Sequence, residues 1–459
     1  MDNYSPQESN ASRLLNWLKN SITARMVIIG FLTLVLLIPL FMVQDLIAER
    51  AQRQKQIISE INDKWGDEVI LLGPILKLPY RSFKEKHITN SYNEVTTESI
   101  EEIRYLYLFP DQLNISSQID PRRKKRGIYQ TAVYKSKNTI TGNFSVPDIN
   151  SEDILEENLL WDKARIVFKT SNLKGVNNQL KISMDGKEYN FSSKFQGQDR
   201  QSGNTELFIM ESSVLKQESV PQKKSIDFRM NISVNGSSEI SFIPIGKTTE
   251  AELSSNWNTN SFTGNFLPFN EDKMTDDGFN AKWKILDINR PFPQNFNNRL
   301  PDLTEYAFGV NFMIPVDEYQ KSERATKYGF LVIGLTFLLF FLIQTLSKIP
   351  IHPFQYLMIG LGLVMFYTLL ISISEHSSFL TAYLIAGISV ILMISLYSKS
   401  ILKIWKFPVF IGLSLIALYS FIYVIIQLES YALLVGSIGL FLILAGVMFV
   451  SRKIDWNNY

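Results

Sequence analysis

Six apolar runs, one near the start and five crowded at the end, leave this chain few folds to choose from. They are Met26–Val43, Tyr328–Leu346, Gln355–Ser374, Phe379–Tyr397, Phe407–Gln427 and Tyr431–Val450. Each runs for roughly 18–21 residues without Lys, Arg, Asp or Glu, which is enough helix to cross about 30 Å of hydrocarbon. Between the first run and the second lies a polar insert, from about Asp45 to Lys327, that holds most of the charge. The chain therefore reads as a membrane protein with one large aqueous domain on one side.

The first run is longer than the roughly 7–15 residues of a signal-peptide core. It is followed by Gln44-Asp45-Leu46-Ile47, which offers no Ala-x-Ala cleavage pattern, so it reads as an uncleaved anchor. Short loops set the orientation through their Lys and Arg content. Arg13, Lys19 and Arg25 precede the first span, Lys348 follows the second, and Lys399, Lys403 and Lys406 follow the fourth. Arg452 and Lys453 follow the last. The alternate loops, around Glu375-His376 and Glu429, have no Lys or Arg. Both termini are expected in the cytoplasm and the insert on the far side, in the periplasm of a bacterium. The basic flanks of the insert do not oppose this, because long translocated domains largely escape the rule.

The expected fold class is an α+β membrane protein: six transmembrane helices (1+5) with a large β-rich periplasmic domain inserted between helices 1 and 2. The division is a cytoplasmic segment at 1–21, spans at 22–46, 328–346, 353–374, 379–397, 407–427 and 431–450, and a cytoplasmic tail at 451–459. The periplasmic domain takes 47–327, with a helix at 47–66 and a β-rich part at 69–316. Before the first span, Leu14, Leu15, Trp17 and Leu18 suit a short amphipathic helix on the inner surface or a plain polar tail. Ala48 to Gly66 has good helix formers, no Pro and a terminal Gly, and predicts a helix that is continuous with span one or kinked near Pro39.

From Val69 to about Val316 the pattern turns to short β-branched and aromatic segments, such as Ile70–Leu78, Arg165–Thr170, Ser225–Val234 and Ala281–Ile285. Asp185-Gly186, Asn235-Gly236 and Asp277-Gly278 are turn candidates. Two sheets or two subdomains are expected. A net charge of +2 gives no general drive toward nucleic acid, and the expected orientation excludes it as a partner. With no cysteine there are no disulfides and no thiolate chemistry. Three histidines without cysteine argue against a transition-metal site. No Walker motif, nucleophile elbow or HExxH motif occurs.

Longer blocks carry a resemblance. ER-x-x-R at Glu49–Arg53 is followed by LLGPILKLPY ending at Tyr80, KKRGIYQTAVYKS at Lys124–Ser136, ARIVFKTSNLKGV at Ala164–Val176 and SFTGNFLP at Ser261–Pro268. PVDEYQKSERATKYGFLVIGLTF at Pro315–Phe337, the block Ile351–His376, LESYALLVGS at Leu428–Ser437 and Arg452–Trp456 complete the set. Together they resemble the CreD family of bacterial inner-membrane proteins, also called cell envelope integrity or colicin-tolerance proteins. The likeness is weakest at Asn138–Asn158 and Gly186–Ser225. The resemblance implies an inner-membrane protein linked to envelope integrity and to envelope-directed toxins and antibiotics. It implies no established enzymatic reaction and no established catalytic residues.

Candidate functional residues are few. Glu375 and His376, at the outer end of span three, suit a proton or cation site, or a solvated helix end. Glu429 shares that face and can pair with Glu375 or simply sit in a polar turn. Lys321 and Arg324 belong to the charged stretch Pro315–Gly329, either a transmission element or a solvated juxtamembrane helix expected near the 48–65 helix. Arg122, Arg123 and Lys124 open a basic cluster that suits lipid headgroups, lipopolysaccharide phosphates or peptidoglycan carboxylates, or a solvated strand entry. Gly360, Gly362, Gly387, Gly436, Gly439 and Gly446 suit close helix packing. No metal or cofactor is expected. The partners expected are membrane lipids and an envelope protein or cell-wall component in the periplasm; the sequence sets no oligomeric state. The favoured reading is a non-enzymatic envelope protein whose periplasmic domain binds or senses a partner. A transporter or lipid-handling protein and a membrane-interface enzyme are the alternatives.

Overall fold

The structure, a computed structural model, describes residues 22–89, 95–145, 154–194, 207–216, 225–312, 314, 318–347, 349–402, 404–428 and 431–452. Side chains of residues 85–98 and of Glu318 are also outside the description, which removes His87. The segment before residue 22, Lys348, Lys403, Glu429 and the tail from residue 453 fall outside it too. The chain forms two units: a helical one of residues 1–55 and 316–459, and a sheet unit of residues 56–315.

The apolar runs become helices. α1 (Ile22–Trp65) is one helix of 44 residues that contains Pro39. Its residues to Lys55 belong to the helical unit and the rest to the sheet unit. α2 (Glu318–Lys327) leads into α3 (Gly329–Ser347). α4 (Pro353–Ser374), α5 (Phe379–Leu402), α6 (Lys406–Gln427) and α7 (Ala432–Ser451) follow. Among the described residues six helices are long and apolar enough to cross a membrane. The start of α4 shows how local chemistry sets an end. Pro353 takes the first helical position, His352 Nδ1 accepts from the Phe354 amide, and Gln355 Oε1 accepts from the His352 amide.

Aromatic side chains fill the interior of the helical unit. Phe337 stands edge-on to Tyr356 at 5.4 Å, and Phe366 packs on Tyr419 at 4.5 Å. Two buried hydroxyls cross between helices: Tyr356 to Gln344 Oε1 at 2.8 Å, and Tyr383 to the Tyr419 carbonyl at 2.8 Å. At Gly360 the Leu36 side chain of α1 comes so close that a Cβ would collide with it, and a Cβ would also lie 2.9 Å from Phe337. Gly439 meets the Phe421 ring in the same way. Gly446 has open space around it, so only part of the expected glycine set marks close packing. α7 buries none of its side chains within the chain.

The sheet unit holds sixteen strands among the described residues. In chain order they begin with β1 (Val69–Thr89), β2 (Val95–Leu108), β3 (Gln112–Arg126), β4 (Tyr129–Ser145) and β5 (Arg165–Thr170). β6 (Lys181–Met184), β7 (Lys187–Ser193), β8 (Phe208–Ser212), β9 (Ser225–Ser237) and β10 (Glu239–Phe242) follow. The last are β11 (Thr248–Ser255), β12 (Asn260–Gly264), β13 (Met274–Thr275), β14 (Gly278–Leu286), β15 (Asn295–Asn297) and β16 (Phe308–Phe312). One sheet runs β12-β16-β10-β1-β5-β8-β7, with the β1–β2 hairpin extending from it and β15 pairing β2. The other runs β7-β6-β9-β4-β3-β11-β14-β13. β7 belongs to both: its first half pairs β6 and its second half β8.

Strict alternation in β9 sends Ile226, Phe228, Met230, Ile232 and Val234 inward and polar side chains outward. The two inner faces share one core, joined by ring contacts such as Tyr134–Phe312 at 5.3 Å and Trp283–Phe308 at 5.4 Å. Asp185-Gly186 forms the β6–β7 turn, both residues at positive φ. Asp277-Gly278 lies at the β13–β14 connection, where Gly278 pairs with Thr275. Asn235-Gly236 is a correction: it is strand, paired with Lys135 and Tyr134 of β4. Gly236 is needed there because the Tyr134 hydroxyl occupies the space a Cβ would take, donating to the Glu239 carbonyl at 2.6 Å. The basic run is a second correction: it ends β3 rather than opening a strand.

Candidate functional site

Three groups of side chains qualify as sites. The first lies at one end of the helical bundle. Glu375 caps α4, and its side chain is only 14% exposed. Oε1 stands 3.6 Å from Arg50 Nη1 of α1 and accepts from the Tyr319 hydroxyl of α2 at 3.3 Å. The carboxylate thus ties three helices together. His376 is exposed and does not join the cluster, since adjacent residues at a helix end diverge. Glu429 lies outside the described residues. On α2, which Gln44 of α1 contacts through the Thr326 carbonyl at 3.4 Å, the ion pair is Lys327–Glu323. Lys321 and Arg324 are half-buried and form no ion pair among the described residues. One carboxylate held by a guanidinium and a phenol can neutralise charge and fix a helix junction.

The second group is the basic run on β3. Its charges are largely engaged. Arg122 pairs with Asp120 at 2.8 Å, and Arg123 lies over the Trp257 ring at 5.8 Å. Lys124 lies over the Trp65 ring at 5.3 Å, and Arg126 pairs with Glu60. Trp65 and Glu60 belong to the last turns of α1. Asn62 adds to that attachment, donating to Ser238 Oγ at 3.2 Å and accepting from Thr131 Oγ1 at 3.3 Å. The run therefore fastens the end of α1 to the sheet, and Lys125 is left exposed.

The third group is absent from the sequence reading. An open cleft of about 530 Å³ sits in the sheet unit where β1, β2, β5 and β8 meet. Lys77, Lys163, Arg165 and Lys194 line it around Glu211, the one carboxylate among the described lining residues. Alternation explains how they gather: Leu76, Leu78, Ile166 and Phe168 point into the core, so Lys77 and Arg165 face the other way. Lys77 and Arg165 are direct cross-strand partners. Glu211 Oε1 lies 2.7 Å from Lys77 Nζ, and Oε2 lies 3.9 Å from Lys194 Nζ. Lys77 also sits 4.3 Å from the centre of the Tyr105 ring. Arg165 Nη1 donates to the Ser212 carbonyl at 2.8 Å. Further along β5, burial pulls the Lys169 ammonium below its ordinary range; Asp302 opposes this and Arg299 adds to it. The signal in the sequence was the alternation itself, since LKLPY and KARIV place cations on a non-core face. Their convergence depends on strand pairing.

Among the described residues no group of three or more His, Asp or Glu side chains could hold a metal ion. In the helical unit an apolar groove of about 460 Å³ opens between α3, α6 and α7, lined by Leu339, Leu342, Leu415, Leu418, Phe421 and Leu442 among others.

The comparisons agree with this architecture. The family model described as inner membrane protein CreD matches residues 21–457. Inner membrane protein CreD of Escherichia coli (strain K12) is 30% identical over 429 residues, covering 92% of this chain and 91% of that protein. A match through the first helix, the sheet unit and the five following helices means that the chain belongs to the CreD family of multi-pass inner membrane proteins.

Proposed function

We propose that this protein supports cell envelope integrity without catalysing a reaction: the helical unit anchors it, and the sheet unit, on the periplasmic side, binds or senses an envelope partner. Both termini then face the cytoplasm. The observation that carries the reading is the packed aromatic interior of the helical unit, with Phe337, Phe340, Tyr356, Phe366, Tyr367 and Tyr419 all nearly or fully buried. Such an interior suits an anchor better than an alternating-access pathway, which places polar and ionisable groups near midplane. The family's name and the loop charges support the inner membrane and the sidedness respectively. A second reading, lipid handling, draws on the apolar groove between α3, α6 and α7.

The absence of cysteine makes the sidedness directly testable. Lys125→Cys in the sheet unit and Ser400→Cys near the end of α5 both place a thiol at an exposed position. In intact spheroplasts an impermeant maleimide should label the first and spare the second. The reverse pattern would sink the proposal. For the role itself, cells lacking the protein should lose tolerance to envelope-directed toxins, and the wild-type chain should restore it. Restoration by a chain deleted of residues 69–312 would remove the sheet unit from the function.

A further inference from the structure

From the cleft of Lys77, Lys163, Arg165 and Lys194 we infer that the sheet unit binds a phosphoryl-bearing anion of at least two negative charges. The ligand's neighbouring apolar part would rest on Tyr105, Ile103 and Val214. The inference deepens the envelope-partner reading and rests on it only for the source of the ligand.

Like charges placed directly across two paired strands repel, and Lys77 and Arg165 are so placed. A strand pair selected for stability alone would put a carboxylate or a polar residue at one of these positions. Instead two further cations, Lys163 and Lys194, are added, and among the described lining residues Glu211 is the one carboxylate. Glu211 is committed to Lys77 at 2.7 Å and reaches Lys194 only at 3.9 Å. Among the described residues the cleft holds a surplus of three positive charges. Among the described residues Lys163 has no ion-pair partner, and Arg165 spends one hydrogen bond on Ser212. That leaves a guanidinium fork directed at an open space flanked by two mobile point charges, a set suited to phosphate oxygens.

The volume, about 530 Å³, falls within the range of small-molecule sites. Its rim is apolar: Ile103 is 48% exposed, Tyr105 36% and Val214 37%. An anion with a carbon-rich neighbour matches both the floor and the rim. The basic run on β3 differs in kind, since its charges already meet Asp120, Glu60, Trp65 and Trp257.

The test uses the full-length chain purified in a neutral detergent and titrated calorimetrically at low salt. The probes are inorganic diphosphate and a short-chain phosphatidic acid. Saturable binding of at least one is expected. The double variant Lys163→Gln/Lys194→Gln, altered at exposed positions that should not disturb folding, should weaken it by about tenfold or more. Arg165→Lys keeps the charge and loses the fork, and should weaken it severalfold. Glu211→Gln should strengthen binding severalfold while lowering the melting temperature, an opposition that a purely structural role would not produce. Arg122→Gln/Arg123→Gln should leave affinity unchanged.

A lipid source is indicated if phosphatidic acid binds more tightly than diphosphate and Tyr105→Ser removes the difference; equal affinities indicate a free phosphorylated solute. No saturable binding of either probe overturns the inference. So does equal weakening by the β3 variant, or weakening by Glu211→Gln. None of those results alters the maleimide pattern of Lys125→Cys. Conversely, labelling from the cytosolic side would remove the envelope source and leave the cleft's affinity intact.

Discussion

The helical unit and the sheet unit solve the same problem, the burial of polar backbone, by opposite means. In the helices the backbone amides past the first turn bond within their own segment, and most Ser and Thr hydroxyls return to the same helix. Thr345 donates to the Phe341 carbonyl at 2.9 Å, and Ser398 to Ile394 at 2.6 Å. In the sheet unit most strands depend on others far away in the chain, and buried polar side chains form networks across them. Ser117, Ser136 and Asn138 bond to one another within 3.1 Å, and Asn138 Nδ2 reaches the Ile232 carbonyl at 3.2 Å. The lesson is that the helices can be disturbed one at a time, whereas the sheet unit should fail as a whole.

The strongest challenge to that contrast is Trp283→Ala. The indole is 1% exposed, its Nε1 donates to the Phe266 carbonyl at 2.9 Å, and its ring joins the two sheets. Loss of about 4 kcal/mol from the sheet unit is expected. Urea unfolding followed by tryptophan fluorescence should show one early transition, with the helical signal in circular dichroism retained. If both signals shift together, the two units do not unfold separately and the contrast breaks.

Gly360→Val comes next. A side chain there meets Leu36 and Phe337, and overpacking should cost about 2 kcal/mol in the helical unit alone. Thermal denaturation in detergent should fall while the sheet unit's urea midpoint stays put.

A smaller effect, with a defined sign, comes from Lys169. Its folded ammonium ionises below the unfolded value because it is buried. The charged form therefore costs stability at neutral pH. That cost declines as the pH rises from the lowered folded value through the unfolded one, and is gone above it. Lys169→Met should raise the sheet unit's urea midpoint at pH 7, and the gain should shrink by pH 10.5. A gain that is the same at both pH values would mean that packing, not charge, is responsible.

Tyr367→Phe sharpens the contrast from the quiet side. Its hydroxyl is buried without a hydrogen-bond partner among the described residues. Removal should change the melting temperature of the helical unit little, within about 0.5 kcal/mol, or raise it. A clear loss would show that a polar network extends through the bundle after all.

The six apolar runs were legible as helices because length and hydropathy are properties of consecutive residues. The alternation of β9 was legible for the same reason, and so was the Asp185-Gly186 turn, where positive φ is a local demand. Asn235-Gly236 carried an equally good turn signal and formed strand, because the space above Gly236 is claimed by Tyr134 from β4. β3, β6, β7, β11, β13 and β15 had weak local patterns and exist through their partners; β11 pairs β3 in parallel across more than a hundred residues of chain. Of the candidate residues, Glu375 was visible as a lone acid at a helix end, while its partners Arg50 and Tyr319 were not.

The sequence by itself determined which segments cross the membrane, where the large polar unit is inserted and that the unit is built of strands, since each follows from the composition or period of neighbouring residues. Only the tertiary structure decided that one carboxylate would join three helices and that Lys77 of β1, Lys163 and Arg165 at the start of β5 and Lys194 after β7 would gather around Glu211. Those groupings depend on strand register and helix docking, and a change of one residue in register would send Lys77 or Arg165 to the opposite face.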